Sequence, residues 1–430
     1  MLNFDTKYGL VPKEKLPNIL AKLKPVIEHM RRVSEHKDYS DDYSSINLAF
    51  DNANIENARL LARKYSKADA VVVIGIGGSN LGTMAVQEGL FGKLWNSTEW
   101  KPKVFYADTV DPNNIGGIIH VVESMLLQGK EVLINIVSKS GTITEIIANA
   151  QIFISLLSTH GKDASEYVVV TTDRNSKLWN VAKQCGLSVL EIPQKVGGRY
   201  SVLSAVGLFP LAVAGIDVEK ICAGAAKMRD ICLQENNIAA ISAAHLYYHH
   251  KNKKKIHDTF LFSTDLESLG NWYRQLMAES LGKRQDVSRK IVNAGMTPIV
   301  SIGTTDLHSM FQLYMGGPVD KFTTFVTVDE KKDITVTEVK AFNTLVPEIN
   351  KKKLGEIRNA AAEGVMHCYK KNKLPFVHIH LPARSEETIG AFLQMKMMEV
   401  MFLGRLWNVN AFDQPEVEKY KAETRKILGR

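Results

Sequence analysis

The sequence predicts an α/β protein of two domains, each a doubly wound parallel sheet, with helical segments at both ends. Three observations predict it. Short runs of consecutive apolar residues, such as 70–76 and 132–137, alternate with longer amphipathic stretches. Strands this apolar are buried on both faces, as in a parallel sheet covered by helices. The pattern starts again after residue 200, and a chain of 430 residues suits two or three domains.

The elements follow in order. Leu20, Leu23, Val26, Ile27 and Met30 recur at helical spacing, so residues 16–33 are expected to be helical, and so are 55–65. Apolar runs predict strands at 70–76, 104–107, 132–137, 168–171 and 188–192. A buried helix is expected at 202–214, then strands at 259–263, 298–303, 323–328 and 377–381. A helix rich in Met and Leu covers 389–406, and a last helix runs over 416–428. The division this suggests is a leading helical segment 1–45, a first α/β domain 46–195, a second 196–385, and a helical arm 386–430.

Composition narrows the function classes. Hydrophobic residues at 45% and charged residues at 23% exclude a disordered chain. Lys plus Arg is 54 against 46 for Asp plus Glu, a net charge of +8. Over this length the bias suits an anionic small molecule and does not argue for nucleic acid. The four cysteines, Cys185, Cys222, Cys232 and Cys368, form no C-x-x-C pair. They read as free thiols in a reducing compartment. The amino terminus lacks a basic-then-apolar signal pattern. The apolar stretch 202–216 contains Pro210 and falls short of the ~20 residues of a spanning helix. A soluble cytoplasmic protein is expected.

Two turns concentrate the chemistry. Residues 75–82 read GIGGSNLG, between a buried strand and a helix. Free amides at a helix start attract anions, and glycines let the backbone approach. Asn80 stands where a dinucleotide fingerprint needs its third glycine. Gly77, Gly78 and Ser79 suit one phosphate or a sugar oxygen instead; the other reading is that Ser79 only caps a helix. The second turn is Ser138-Lys139-Ser140-Gly141-Thr142, at the carboxyl end of a strand, where open sheets bind ligands. Its hydroxyls and amides can wrap a phosphate without a metal, and Thr142 to Glu145 also fits a capping box.

Four further segments are each ambiguous alone. Gly197-Gly198-Arg199-Tyr200-Ser201 can set a guanidinium against an anion or make an inter-domain turn. In Gln275-Leu276-Met277-Ala278-Glu279-Ser280, Gln275 and Glu279 share a helix face while Leu276 and Ala278 help bury the helix. A Glu at the rim of an apolar patch suits a carbon base, though most such residues are simply exposed. In Thr304-Thr305-Asp306-Leu307-His308-Ser309, Asp306 is expected as a helix N-cap and His308 in the first helical turn, able to shuttle a proton or merely structural. Pro415 and the acids after it start a helix whose second turn carries Lys421, aimed into a cleft or into solvent.

In the order GIGGSNLG, SKSGT, GGRYS, QLMAES, TTDLHS, FDQPEVEKYK, these segments resemble the phosphoglucose isomerase family over nearly the whole chain. The resemblance implies two flavodoxin-like sugar-isomerase (SIS-type) domains. It implies reversible isomerisation of glucose 6-phosphate and fructose 6-phosphate through ring opening and a cis-enediolate, in glycolysis and gluconeogenesis. It also implies a homodimer in which each site borrows a histidine from its partner. By motif, Glu279 corresponds to the base between C1 and C2, His308 and Lys421 to the ring-opening groups, and Arg199 to the cation that steadies the enediolate. Gln275 and Gln414 would contact substrate. Gly78, Ser79, Ser138, Lys139, Ser140 and Thr142 would make the sugar-phosphate pocket. No metal, nicotinamide or other cofactor is implied.

The sequence departs from the family at two positions. Ile143 replaces a threonine of the phosphate turn, which Thr144 can compensate, and Glu416 replaces a small residue at a helix start, where its charge suits the dipole. Other readings are a nicotinamide-dependent oxidoreductase, a non-catalytic sugar-phosphate sensor, and an isomerase that also takes mannose 6-phosphate. The missing third glycine argues against the first, and Glu279, His308 and Lys421 against the second. The run His249 to Lys255 reads as a solvated loop or helix end, with neither nucleic acid nor membrane as partner. His378 and His380 share a strand face without a third metal ligand, and Met395 to Met401 reads as core.

Overall fold

The computed structural model describes residues 2–36 and 38–429. In chain order its strands are β1 (Asn3–Asp5), β2 (Ala70–Ile74), β3 (Lys103–Ala107), β4 (Val132–Val137), β5 (Val168–Asp173), β6 (Ser188–Ile192), β7 (Ile256–Leu261), β8 (Lys283–Gln285), β9 (Ile291–Ala294), β10 (Thr297–Ile302), β11 (Lys321–Val328) and β12 (Phe376–Leu381). They form two five-stranded sheets, ordered β3-β2-β4-β5-β6 and β1-β12-β11-β7-β10, and a β8–β9 hairpin. The first sheet is wholly parallel; in the second only β1 runs antiparallel, along β12.

Alternation explains why β2 reads as unbroken apolar sequence. Val71 and Val73 face one core, while Val72 and Ile74 face another with the Pro112–Leu127 and Thr144–Thr159 helices. The first of these cores continues without a break into the second sheet, so one apolar body joins the two halves. An aromatic cluster of Phe260, Phe262, Phe325 and Phe376 covers the far face of the second sheet under the Leu354–Lys371 helix.

The ends differ from the sequence expectation. The leading segment is not only helical: β1 completes the second sheet. The Glu386–Trp407 helix is a central pillar, buried along most of its length against the Val218–Cys232, Ile238–Lys251 and Glu267–Leu281 helices, with the core position expected for Met395 to Met401. Within it Lys396 and Glu399 are wholly buried and paired at 2.9 Å, and Ser242 and Tyr273 donate to the Glu399 carboxylate. The basic run closes the Ile238–Lys251 helix, but His249 is not solvated; it stacks on Phe322 and meets the Gly9 carbonyl at 2.6 Å. His378 and His380 do share a face, and both bond the Thr327 hydroxyl. Among the described residues no helix is long and apolar enough to cross a membrane.

Each sheet has a point where the chain reverses direction across it. In the first sheet, β2 leads outward to β3 and its neighbour β4 leads the other way to β5, which opens a crevice at their carboxyl ends. In the second sheet the corresponding crevice, between β7 and β11, is filled. Arg384 lies there, 2.6 Å from Asp265 and bonded to Ser263 and Glu330, and Arg358 reaches Glu330 at 2.9 Å. The fold therefore leaves the first sheet's crevice open for a ligand.

Candidate active site

Two glycine-rich turns meet at that crevice. A Cβ on Gly78 would sit 2.2 Å from the Gly198 carbonyl carbon and 2.4 Å from the Arg199 nitrogen. Only glycine allows this backbone approach, which sets the turn after β2 against the turn carrying Arg199. Ser79 is buried in a short 3-10 turn; the Leu81–Phe91 helix starts after Asn80 with no side-chain cap, so Ser79 does not serve as one.

The turn after β4 is organised by its own amides. The Ser138 hydroxyl accepts from the Gly141 N–H at 3.1 Å, and Thr142 donates to Ser140 through N–H and hydroxyl. Gly141 has φ +67°, and a side chain there would strike Leu178. The capping box is absent: the Thr144–Thr159 helix has Ile143 as N-cap, without a side-chain bond. Ile143 instead packs toward the first sheet's core. The Lys139 ammonium turns to the Gln194 and Val196 carbonyls, 2.6 and 2.9 Å away, and burial lowers its pKa.

Arg199 is the pivot. It is 2% exposed, and its N–H groups are almost all engaged. Nε donates to the Ser280 hydroxyl at 2.6 Å, Nη2 to the Ala411 and Asp413 carbonyls at 2.8 and 3.1 Å, and Nη1 to Gln414 Oε1. Nη1 also lies 3.5 Å from Glu279 Oε1. The other carboxylate oxygen of Glu279 accepts from Gln275 at 2.9 Å. Gln275 Oε1 is buried with no partner among the described residues, a ready acceptor for a sugar hydroxyl. The helix Glu267–Leu281 that presents this set is buried through Leu276 and Met277, while Ala278 is exposed rather than buried. The same turn of the helix already buries Leu276, Met277 and Ser280, and Ala278 falls on the opposite side.

The structure thus gathers Arg199, Gln275, Glu279 and Gln414 in one group of hydrogen bonds and an ion pair, with the Gly78 backbone packed against the Arg199 turn. Lys421, on the Pro415–Leu428 helix, pairs with Glu418 at 2.7 Å and shares a narrow cleft with Ile143, Thr144 and Glu145. That places it beside the start of the Thr144–Thr159 helix. Glu416 stands in the first turn of the same helix, paired with Lys419. His308 stands apart. It ends a 3-10 turn, Thr305–Leu307, and does not begin a helix. Asp306 does not cap a helix either: its carboxylate accepts from the Ile302 N–H at 2.7 Å and from Ser309 at 2.8 Å, closing the loop on itself. His308 is exposed and makes no side-chain hydrogen bond among the described residues.

Two contributors escaped the sequence reading. Ser280 holds both Arg199 and Tyr200, and Lys283, 6% exposed in its side chain, bonds the Glu279 carbonyl at 3.0 Å and the Asp413 carboxylate at 3.0 Å. Lys283 stands on β8, just past the end of the helix, so no helical spacing could have pointed to it. A wide groove of about 870 Å³ beside β6, with Tyr39, Arg174 and Trp179 in its wall, holds none of these residues.

A family model described as phosphoglucose isomerase matches residues 54–430. The chain is 32% identical to a glucose-6-phosphate isomerase of Thermus thermophilus, covering all of both chains. A solved structure of a hypothetical protein from Thermus thermophilus superposes with a TM-score of 0.88 at 32% identity over the full length of both. A glucose-6-phosphate isomerase structure from Chlamydia trachomatis shares the fold, with a TM-score of 0.82 at 19% identity over all of this chain and 88% of that one.

Proposed function

The chain belongs to the phosphoglucose isomerase family, and on that premise we propose how its residues divide the reversible isomerisation of glucose 6-phosphate and fructose 6-phosphate. The observation that carries the assignment is the Glu279–Arg199 pair, a carboxylate at a crevice beside a fixed, buried guanidinium. Isomerisation of an aldose needs one base that reaches two neighbouring carbons. Glu279 removes the proton from C2, the electrons move through the C1–C2 bond onto the aldehyde oxygen, and a planar cis-enediolate forms. The same carboxyl returns the proton to C1 while the C2 hydroxyl passes its proton to the C1 oxygen, and the ketose results. Arg199 holds a positive charge beside the developing negative oxygens without reorganising, the condition under which electrostatic stabilisation is largest. Gln275 and Gln414 orient the hydroxyls.

Before this step the ring must open, with a proton leaving the anomeric hydroxyl and one arriving at the ring oxygen. Lys421 and His308 exchange these protons. His308 is exposed and outside the Glu279 hydrogen-bond group of its own protomer, which supports its supply from a second copy in a homodimer. The phosphate lies at the starts of the Leu81–Phe91 and Thr144–Thr159 helices, among Gly78, Ser79, Ser138, Ser140 and Thr142, with the Lys139 charge behind it. Anchoring the phosphate holds the open chain in place for the base. All four cysteines are free thiols, in keeping with work in the cytoplasm.

A coupled assay following formation of either hexose phosphate tests the assignment. Glu279→Gln is expected to lower kcat by about 10²–10⁴-fold with the fold intact by circular dichroism. Wild-type turnover no higher than that of the variant refutes it.

A further inference from the structure

A buried polar chain lies under the loop that carries His308. Asp258, on β7, is fully buried on the aromatic side of the second sheet. Its Oδ1 accepts from the Ser301 hydroxyl at 2.9 Å, and Ser301 Oγ lies 2.6 Å from the Tyr314 hydroxyl. Ser301 and Tyr314 are 1% and 5% exposed. Asp258 Oδ2 has no partner among the described residues. A carboxyl placed among phenylalanines is costly unless it serves something beyond packing.

Its connections say what it serves. Ser301 stands on β10, the strand that enters the His308 loop, and Tyr314 stands on Phe311–Gly316, the helix that leaves it. The hydroxyl pair therefore closes residues 301–314 into a ring, and Asp258 fastens that ring to the sheet. Asp306 braces the same loop from its exposed side. Nothing in the Glu279 group touches this chain. We propose that Asp258, Ser301 and Tyr314 are positioning residues for His308, setting the angle at which the loop presents the imidazole to substrate. The inference rests on the reading of His308 as a ring-opening group.

The chain has a direction. With Asp258 ionised, Ser301 spends its single proton on the carboxylate, so Tyr314 must donate to Ser301. With Asp258 protonated on Oδ1, the oxygen that meets Ser301, the order reverses: the carboxyl donates to Ser301, Ser301 to Tyr314, and the Tyr314 proton must turn elsewhere. The groups facing Asp258 are Tyr314 and Ser301, Asp306 from the loop, Lys321 from β11 and Tyr369 from the Leu354–Lys371 helix. Burial foremost, with a further push from Asp306, raises the Asp258 pKa to about 7. The reversal thus falls in the neutral range.

A double-mutant cycle in the full-length protein separates positioning from mere stability. Tyr314→Phe and Ser301→Ala are each measured alone and with His308→Ala, by kcat/KM on glucose 6-phosphate and by thermal midpoint. Tyr314→Phe is expected to cost about tenfold in kcat/KM with His308 present and less than about twofold in its absence, the non-additivity of residues that act through one another. Asp258→Asn is expected to flatten the wild-type change of kcat/KM around neutral pH. Equal losses in both backgrounds overturn the positioning role, because a general loosening of the fold does not depend on His308. If His308→Ala alone retains wild-type kcat/KM, the reading of His308 fails first, and the proposal with it. Should Tyr314→Phe fold poorly, Ser301→Ala carries the same comparison.

Discussion

Arg199 Nη1 lies 3.5 Å from Glu279 Oε1, and the same nitrogen donates to Gln414. The guanidinium therefore joins three segments far apart in sequence: the turn after Gly198, the helix Glu267–Leu281 and the loop before Pro415. Its planar fork fixes their relative angles, and its remaining N–H groups are used up on Ser280 and on two carbonyls.

Arg199→Lys should fail even though it keeps the charge. A lysine offers a point charge on a flexible stem and cannot reproduce the fork. The expected loss is about 10²–10³ in kcat, the range for removing a preorganised donor at a developing anion. Stability should fall by about 1–3 kcal/mol, because the Ala411 and Asp413 carbonyls lose their partner. Steady-state kinetics and urea unfolding check both. A variant within twofold of wild type in kcat would show that charge alone suffices.

Lys283 makes a separate prediction. Its ammonium ties the Glu279 carbonyl to the carbonyl and carboxylate of Asp413, the residue before Gln414. Lys283→Met frees that loop, and a shift of about 1 Å at Gln414 is enough to cost ~10²-fold in rate. Lys283→Arg keeps a donor to the same oxygens and should recover part of the loss. If methionine and arginine give the same kinetics as wild type, the loop is held by Arg199 alone.

The part of this architecture that could be read in sequence was the part written in local pattern. β4 lies at its expected bounds because its six residues are buried on both faces and read as one nearly unbroken apolar run, and β6, at the sheet edge, because Val189, Leu190 and Ile192 carry enough β-branched and apolar character. That Gln275 and Glu279 share a face was legible because, on a helix, residues four apart do. β1 was not: three residues, Asn3–Asp5, carry no period, and only the free edge of β12 makes them a strand. The burial of Lys396 and Glu399 was hidden for a related reason. A Lys and a Glu three apart in sequence look the same on a solvated face as inside a core, and only the helices around Glu386–Trp407 decide. Asp306 looked like a cap because a cap and a loop brace use the same short carboxylate.

The Lys396–Glu399 pair predicts an asymmetry. Lys396→Met leaves the Glu399 charge buried without its cation, at an expected cost of about 3–5 kcal/mol. Replacing both, as Lys396→Met with Glu399→Gln, should recover much of it, since a neutral amide can accept from the Tyr273 hydroxyl through its oxygen and donate to the Ser242 hydroxyl through its NH2. Tyr273 lies on the catalytic helix, so the single variant should also lose turnover. Chemical unfolding of the three proteins measures the order. A double variant less stable than the single one would mean that the ionised carboxylate itself holds the helices together.

The buried histidines predict how the protein responds to acid. Burial pushes the His249 pKa down to about 4, and it also lowers those of His245 and His257. A histidine whose folded pKa is depressed binds protons more readily when unfolded, so stability rises with pH in this window. The His249 contribution is full above its unfolded value, about 6.5, and is lost as pH falls from there toward 4. At most it amounts to about 3 kcal/mol. His249→Gln keeps a donor for the Gly9 carbonyl but cannot take up the proton. Its thermal midpoint should therefore lie below wild type at pH 7.5, from lost stacking on Phe322, and close on or pass wild type at pH 5. Parallel midpoints for the two proteins between pH 7.5 and 5 would show that His249 takes up its proton in the folded protein as readily as in the unfolded chain.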